Sequence, residues 1–390
     1  MGRFEFISGP NFSGRSAALR ETMQRNAAGD GTFYIGPYAE AALSGLTSTV
    51  RDEVLLYRNV AAERPVFPLP VGDEALLRDP QSLSGGEQVL LALHCFSQSA
   101  YRHIAIDTAL EQLDPGNRRG AFDYVALAAE SVTLIDNRDP PDGWTVLPQE
   151  PFTKPAFAID WPKLAELIEP HAASGLSISG LNFKYRNGKS IFENARVTLE
   201  PGRAYRVSGV NGAGKTTLFK LLVGALVPGC ATMTLGNETY RPWRDGNRAL
   251  SLATQNPDQQ WCGATLAEDI ARRCKALTAH PHVERIDAQR VQALAAALGA
   301  ASLDTHLYEL PLAARKRLSW TWPFAGVHPW VMLDEPTVGQ DRATRENLAQ
   351  YMTLMCARGY GVMFVTHDDE FAAQLPHRVL TVADRALRLT

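Results

Sequence analysis

The stretch GVNGAGKTT, residues 209–217, leaves this chain few folds to choose from. It matches G-x-x-x-x-G-K-[ST] in full, between AYRVSG, which reads as a strand, and TTLFKLLVGAL, which reads as a helix. In a strand–turn–helix, glycines let backbone N–H groups close around phosphates and the helix N-terminus adds partial positive charge. A purely structural glycine turn requires neither the lysine nor the hydroxyl that follows it. Asn211, Gly212, Ala213, Gly214, Lys215, Thr216 and Thr217 are therefore expected to bind ATP. Lys215 reaches the β- and γ-phosphates and the Thr216 hydroxyl ligates Mg²⁺.

Such a loop works in a parallel α/β sheet, and the rest of the chain supplies one. Asp334 ends the apolar run WVMLD, where an aspartate points at the metal, and Glu335 follows it as a candidate to polarise the attacking water. The same order of elements is present earlier. FEFIS, a Gly-rich GPNFSGRS and SAALRETMQR answer the strand, loop and helix, HIAID at 103–107 answers WVMLD, and SVTLID at 131–136 answers GVMFVT at 361–366. Alternating strands and helices repeated in this way predict two domains of one kind. Between them, residues 140–174 hold seven prolines, which predicts a linker or strap over 140–175 between domains at 1–139 and 176–390.

A net charge of −3 argues against nucleic acid as a partner. Five cysteines without CxxC pairs read as reduced thiols, with no metal cluster. No signal-like apolar start and no uninterrupted apolar span of membrane length stand out, so a cytoplasmic protein is expected, with any membrane role exercised through a partner.

Taken in order, the motifs of residues 176–390 resemble the ATPase domain of ATP-binding cassette (ABC) transporters. The resemblance assigns Tyr185 to stacking on adenine, Gln255 in ATQNPDQQ to the Q-loop that senses metal and γ-phosphate, and Asp341 in VGQD to the D-loop. It assigns His367 in FVTHDD to the switch histidine, so Glu335, His367 and Gln255 form the expected catalytic set and Thr216, Asp334 and Gln255 the metal set. The fold it implies is two tandem P-loop ATPase domains, each a mainly parallel sheet with helices and a helical subdomain. One element departs from the family: where LSGGQ belongs, Leu310–Ala314 reads LPLAA.

The missing element is in the first half. Ser84, Gly85, Gly86 and Glu87 spell the signature at the start of an apolar helix, with backbone N–H groups suited to γ-phosphate. The nucleotide side of that half is degenerate. Gly9 and Gly14 keep the loop frame and Ser16 its hydroxyl, but Arg15 replaces the lysine, whose slot its planar fork does not fit. Asp107 is retained, Thr108 stands for the glutamate, Asn137 for the histidine and Pro37 for the glutamine, while Asp114 keeps the D-loop. The short interval from loop to signature predicts a trimmed helical subdomain. ABC ATPase domains pair head to tail, each ATP lying between one phosphate loop and the other signature. The resemblance therefore implies one competent site, Lys215 with Ser84–Glu87, and one degenerate site.

Residues 255–270 and 39–54 resemble the Q-loop regions of energy-coupling factor (ECF) transporters, which take up vitamins or metal ions. That implies ATP and Mg²⁺ as cofactors, a membrane coupling protein and a substrate-binding membrane protein as partners, and a peripheral place on the inner membrane face. An ATPase of another ABC importer or exporter, a soluble tandem ABC protein acting on ribosomes, and a non-hydrolysing clamp stay open. No residue names the transported substrate.

Overall fold

The computed structural model describes residues 3–7, 15–26, 31–38, 43–59, 64–69, 72, 76–137, 142–147, 158–172, 174–186, 188–247, 249–278 and 286–390. Two compact units result, residues 1–155 with 338–342, and residues 156–337 with 343–390.

In the first unit, strands β1 (Arg3–Ile7), β2 (Thr32–Ile35), β3 (His103–Asp107), β4 (Ser131–Ile135) and β5 (Thr145–Leu147) form a parallel sheet in the order β2-β3-β4-β1-β5. The helix Gly85–Gln98 packs Val89, Leu93 and Phe96 into a core shared with Phe33, Ile104 and Ile106. Its start is set by a capping box in which the Ser84 hydroxyl accepts from the Glu87 N–H and the Glu87 carboxylate accepts from the Ser84 N–H.

The second unit holds β6 (Leu176–Lys184), β7 (Ser190–Leu199), β8 (Ala204–Ser208), β9 (Cys230–Leu235), β10 (Glu238–Tyr240), β11 (Leu250–Ala253), β12 (Trp330–Asp334), β13 (Gly361–Val365), β14 (His377–Ala383) and β15 (Ala386–Leu389). One sheet runs β11-β12-β13-β8-β14-β15, parallel except for the β14–β15 hairpin, and a second, antiparallel sheet runs β10-β9-β6-β7. Both faces of the parallel sheet are covered. Along β12 and β13, Val331, Leu333, Val362 and Phe364 enter one core, while Trp330, Met332, Met363 and Val365 enter the other. This alternation is why both strands read as unbroken apolar runs.

The two parallel sheets share a strand order. β2, β3, β4, β1 and β5 occupy the positions of β11, β12, β13, β8 and β14, and in each the strand before the phosphate-loop position lies beside the strand that precedes the switch position.

One expectation needs correction. The proline-rich stretch is not a bare strap. Thr145–Leu147 pairs in parallel with Glu5–Ile7, and Trp144 packs on Phe4 with ring centroids 5.4 Å apart. Trp161–Leu167 is a helix with Pro162 in its first turn, where a missing N–H costs nothing. Among the described residues the helical region of the first unit is reduced, with the helix Val50–Tyr57 where the second unit has Leu266–Thr278 and Ala288–Ala297, and a further shortening lies before it. Arg15 to Thr32 is a far shorter interval than Lys215 to Leu250, because the described first unit has no counterpart of β9 and β10.

Candidate nucleotide site

The phosphate loop of the second unit is held open by backbone that only glycine tolerates. Gly214 caps the helix Lys215–Leu222 at φ 111°, and a Cβ there would lie 2.4 Å from Ile191 Cγ2. Gly209, at φ 155°, would place one 2.5 Å from the Val382 carbonyl. Gly214→Ala is therefore expected to weaken ATP binding at least about tenfold, as read by titration with a fluorescent nucleotide, since the loop must shift to admit the methyl group. Affinity within twofold of the parent would refute this. Asn211, Gly212 and Ala213 lie in the same turn, with the Ala213 N–H donating to the Val210 carbonyl at 3.1 Å. The Lys215 ammonium donates to the Gly209 carbonyl at 2.7 Å and to that of Val210 at 3.3 Å, folded back over its own loop.

Around this loop the expected residues converge. The Thr216 hydroxyl donates to Asp334 Oδ2 at 2.9 Å. These are hard oxygen donors at two adjoining element ends, a set that fits Mg²⁺. Glu335 stands at φ 46°, fixed by its N–H to the Val365 carbonyl at 3.0 Å. Its carboxylate accepts from the His367 N–H at 3.3 Å and lies 3.6 Å from His367 Nε2. The Tyr185 hydroxyl is 2.9 Å from that of Thr217, and its ring meets Phe183 edge-on, which places the expected adenine platform at the loop. Gln255 lies two residues beyond β11, beside the end of β12. Burial, then the neighbouring Glu335 charge, raises the Asp334 carboxyl above the usual carboxylate range.

The first unit repeats this backbone with different side chains. The Ser16 hydroxyl donates to Asp107 Oδ2 at 3.1 Å, as Thr216 does to Asp334. Thr108 stands at φ 53° with its N–H on the Ile135 carbonyl at 2.9 Å, as Glu335 does on Val365. Pro37 follows β2 as Gln255 follows β11, and Asn137 follows β4 as His367 follows β13. Gly9 and Gly14 lie outside the described residues. Arg15 is buried and donates to Asn137 Oδ1 at 2.6 Å, while the Asn137 N–H and Nδ2 donate to Glu111 Oε1 at 2.9 and 2.8 Å. Burial lowers the Arg15 pKa against the pull of Glu111 and Asp107, and burial raises that of Asp107.

Both signature positions also recur in register. Ser84 caps Gly85–Gln98 and Pro311 caps Leu312–Leu318, so Gly85 corresponds to Leu312 and Gly86 to Ala313. Asp114 caps the helix Pro115–Ala128, and Asp341 immediately precedes Arg342–Ala357.

Three buried charged residues beside the site escaped sequence reasoning. Glu53 and Asp269 are fully buried acids, each one position after an acid whose N–H is capped by a threonine, Thr49 or Thr265. Glu53 accepts from Ser44 and Thr47, and Asp269 from the Cys262 N–H and Trp322 Nε1, so each secures the segment after its Q-loop position. The shared T-x-x-[DE]-[DE] spacing was the available signal. The third is Lys316, 1% exposed, whose ammonium donates to the carbonyls of Thr254, Gln255 and Asp334.

The model of the ABC transporter family matches residues 192–338. "Putative ABC transporter ATP-binding protein SCO5958" of Streptomyces coelicolor is 33% identical over 53% of this chain and 74% of its own length. "Cobalt import ATP-binding protein CbiO" of Rhodobacter capsulatus is 30% identical over 52% of this chain and 74% of its own. "Putative ABC transporter ATP-binding protein SCO2324" of S. coelicolor is 31% identical over 48% of this chain, and the match spans 33% of that relative's length. On these matches this chain belongs to the ABC transporter ATP-binding proteins.

Proposed function

We propose that the chain is the ATP-hydrolysing subunit of an ECF-type uptake transporter for a vitamin or metal ion, built from two ABC ATPase domains, residues 1–139 and 176–390, fused in one polypeptide. The observation that carries the reading is the sorting of motifs over matched backbone. The lysine, glutamate, histidine and glutamine positions are filled in the second unit and altered in the first, to Arg15, Thr108, Asn137 and Pro37, while the signature is intact in the first and lost in the second. Random decay would not divide the parts into complementary sets. One complete set remains, the Lys215 loop with the Ser84–Glu87 signature.

At that site Lys215 and the loop N–H groups bind the phosphates, Tyr185 orients the base, and Thr216 and Asp334 would hold Mg²⁺. When bound, Mg²⁺ supplies charge neutralisation at the phosphates. Glu335 accepts a proton from the attacking water and His367 holds Glu335 in place. In the first unit Arg15 is engaged with Asn137, and Thr108 carries no base. Arg15→Ala is therefore expected to change the ATPase rate less than about twofold, against the hundredfold or more typical of losing a catalytic base. Loss of activity in Arg15→Ala would reverse the assignment of the two sites.

Transport coupling calls for a docking surface on membrane subunits. Leu46, Leu55, Leu56 and Leu77 are exposed around the helix Val50–Tyr57, with the Arg51 N–H on the Leu76 carbonyl bringing Leu77 alongside. Exposed leucines grouped in this way suit an apolar coupling helix. Among the described residues no helix is long and apolar enough to cross a membrane; in this reading the partners hold the chain on the inner membrane face. The cobalt-import name of the Rhodobacter relative points to the same class. Affinity purification from membranes tests this: recovery with integral membrane proteins supports the reading, and co-sedimentation with ribosomes instead would replace it with the ribosome-acting class.

A further inference from the structure

We propose that Lys316 is a positioning residue for ATP hydrolysis, its buried ammonium joining the Q-loop to the strand that carries Asp334 and Glu335 and serving as their counter-ion. The inference rests on the assignment of those two carboxylates to the hydrolytic centre.

The β11–β12 ladder ends at Ala253↔Leu333. Beyond it the two chains diverge, Thr254 and Gln255 into the Q-loop and Asp334 into the site. Carbonyls that leave a ladder inside a core need other donors. Lys316 supplies them, at 2.8 Å to Thr254, 2.8 Å to Gln255 and 3.0 Å to Asp334. An ammonium has three N–H donors, so all are used. The same helix is tied to the Q-loop segment twice more, by Arg315 to both Asp258 carboxylate oxygens at 3.0 and 2.9 Å and by Gln260 Nε2 to the Ser319 carbonyl at 2.8 Å. The helix that lost its signature thus braces the Q-loop.

The first unit explains why the residue is charged. Counted from the caps Ser84 and Pro311, the counterpart of Lys316 is Val89, fully buried. There the strand ends in one carboxylate, Asp107, followed by Thr108, and the Pro37 carbonyl accepts from the Gln112 side chain. A buried cation stands behind the strand end that carries two adjacent acids, and an apolar residue behind the one that carries a single acid. Asp334 and Glu335 are 3% and 4% exposed, and both act on Lys316 electrostatically. Two buried carboxylates without a nearby cation would be strongly disfavoured.

The test uses the full-length chain and a double-mutant cycle between Lys316→Met and Glu335→Gln. Thermal unfolding is followed without nucleotide or Mg²⁺, and ATPase kinetics separately. Lys316→Met is expected to lower kcat at least about thirtyfold with KM for ATP within about threefold. It is also expected to lower the unfolding midpoint by about 10 °C, and by less than half of that when Glu335→Gln has already removed one charge. Equal shifts in the two backgrounds, or a folded Lys316→Met with kcat within twofold of the parent, would overturn the proposal. Where the single variant does not fold, the double variant decides: it folds if the lysine offsets the carboxylates and fails if the lysine only fills a gap. Turnover surviving in Glu335→Gln alone would remove the hydrolytic assignment, leaving the unfolding cycle to judge the counter-ion role.

Discussion

Glu335→Gln is expected to reduce the ATPase rate at least about a hundredfold while ATP affinity stays within about twofold, because it removes a proton acceptor and little else. Glutamine has the shape of glutamate and can still accept the His367 N–H that now reaches the carboxylate at 3.3 Å. The residue is held by its own backbone, at φ 46° with its N–H on Val365, so the side chain's direction survives the change. The phosphate loop and the Thr216–Asp334 pair are untouched, and nucleotide should bind and remain. Thr108, in the same backbone conformation of the first unit, provides a sharper control. Adding Thr108→Glu to Glu335→Gln should restore no turnover, since Arg15 and Asn137 still stand in the lysine and histidine positions. Steady-state phosphate release with parallel nucleotide titrations measures both. A Glu335→Gln enzyme within tenfold of the parent rate would remove Glu335 from the chemistry.

The candidate nucleotide site was legible because nucleotide chemistry fixes residue type and chain order together. A glycine loop, a strand-end aspartate and a histidine after the next strand cannot be exchanged without losing the geometry now seen at Thr216–Asp334 and Glu335–His367. The altered motifs of the first half were legible for the complementary reason. Its backbone positions persist, Thr108 at φ 53° and Ser16 on Asp107, although the side chains have changed. Lys316 was not legible. It sits in Arg-Lys-Arg within a short helix, a run that ordinarily marks a solvated face, and only the packing of that helix on the β11 and β12 ends turns it inward. β5 was hidden because Thr145–Leu147 is a three-residue strand with prolines near both ends, held by backbone pairing to β1. The shortened first half was read as a smaller helical subdomain, and the further shortening between Arg15 and Thr32 was missed because interval length alone cannot say where residues are missing.

The second large effect concerns the signature. Gly85→Asp should lower turnover at least about a hundredfold, although it lies in the unit whose own phosphate loop is altered, while Leu312→Asp, its counterpart in the other helix, should change turnover less than about twofold. Both substitutions place a carboxylate at the first helical position after the cap, Ser84 in one case and Pro311 in the other, where a negative charge suits the helix dipole and folding should be little disturbed. The capping box between Ser84 and Glu87 is left in place. What differs is the ligand each position would meet. If ATP at the Lys215 loop is completed by Ser84–Glu87, an aspartate at residue 85 faces the γ-phosphate and repels it, whereas residue 312 faces a site with no working loop. Comparable losses in both variants would mean that two sites hydrolyse ATP. A loss confined to Leu312→Asp would mean that the complete motif set has been drawn from the wrong halves, and the one-site reading would fall with it.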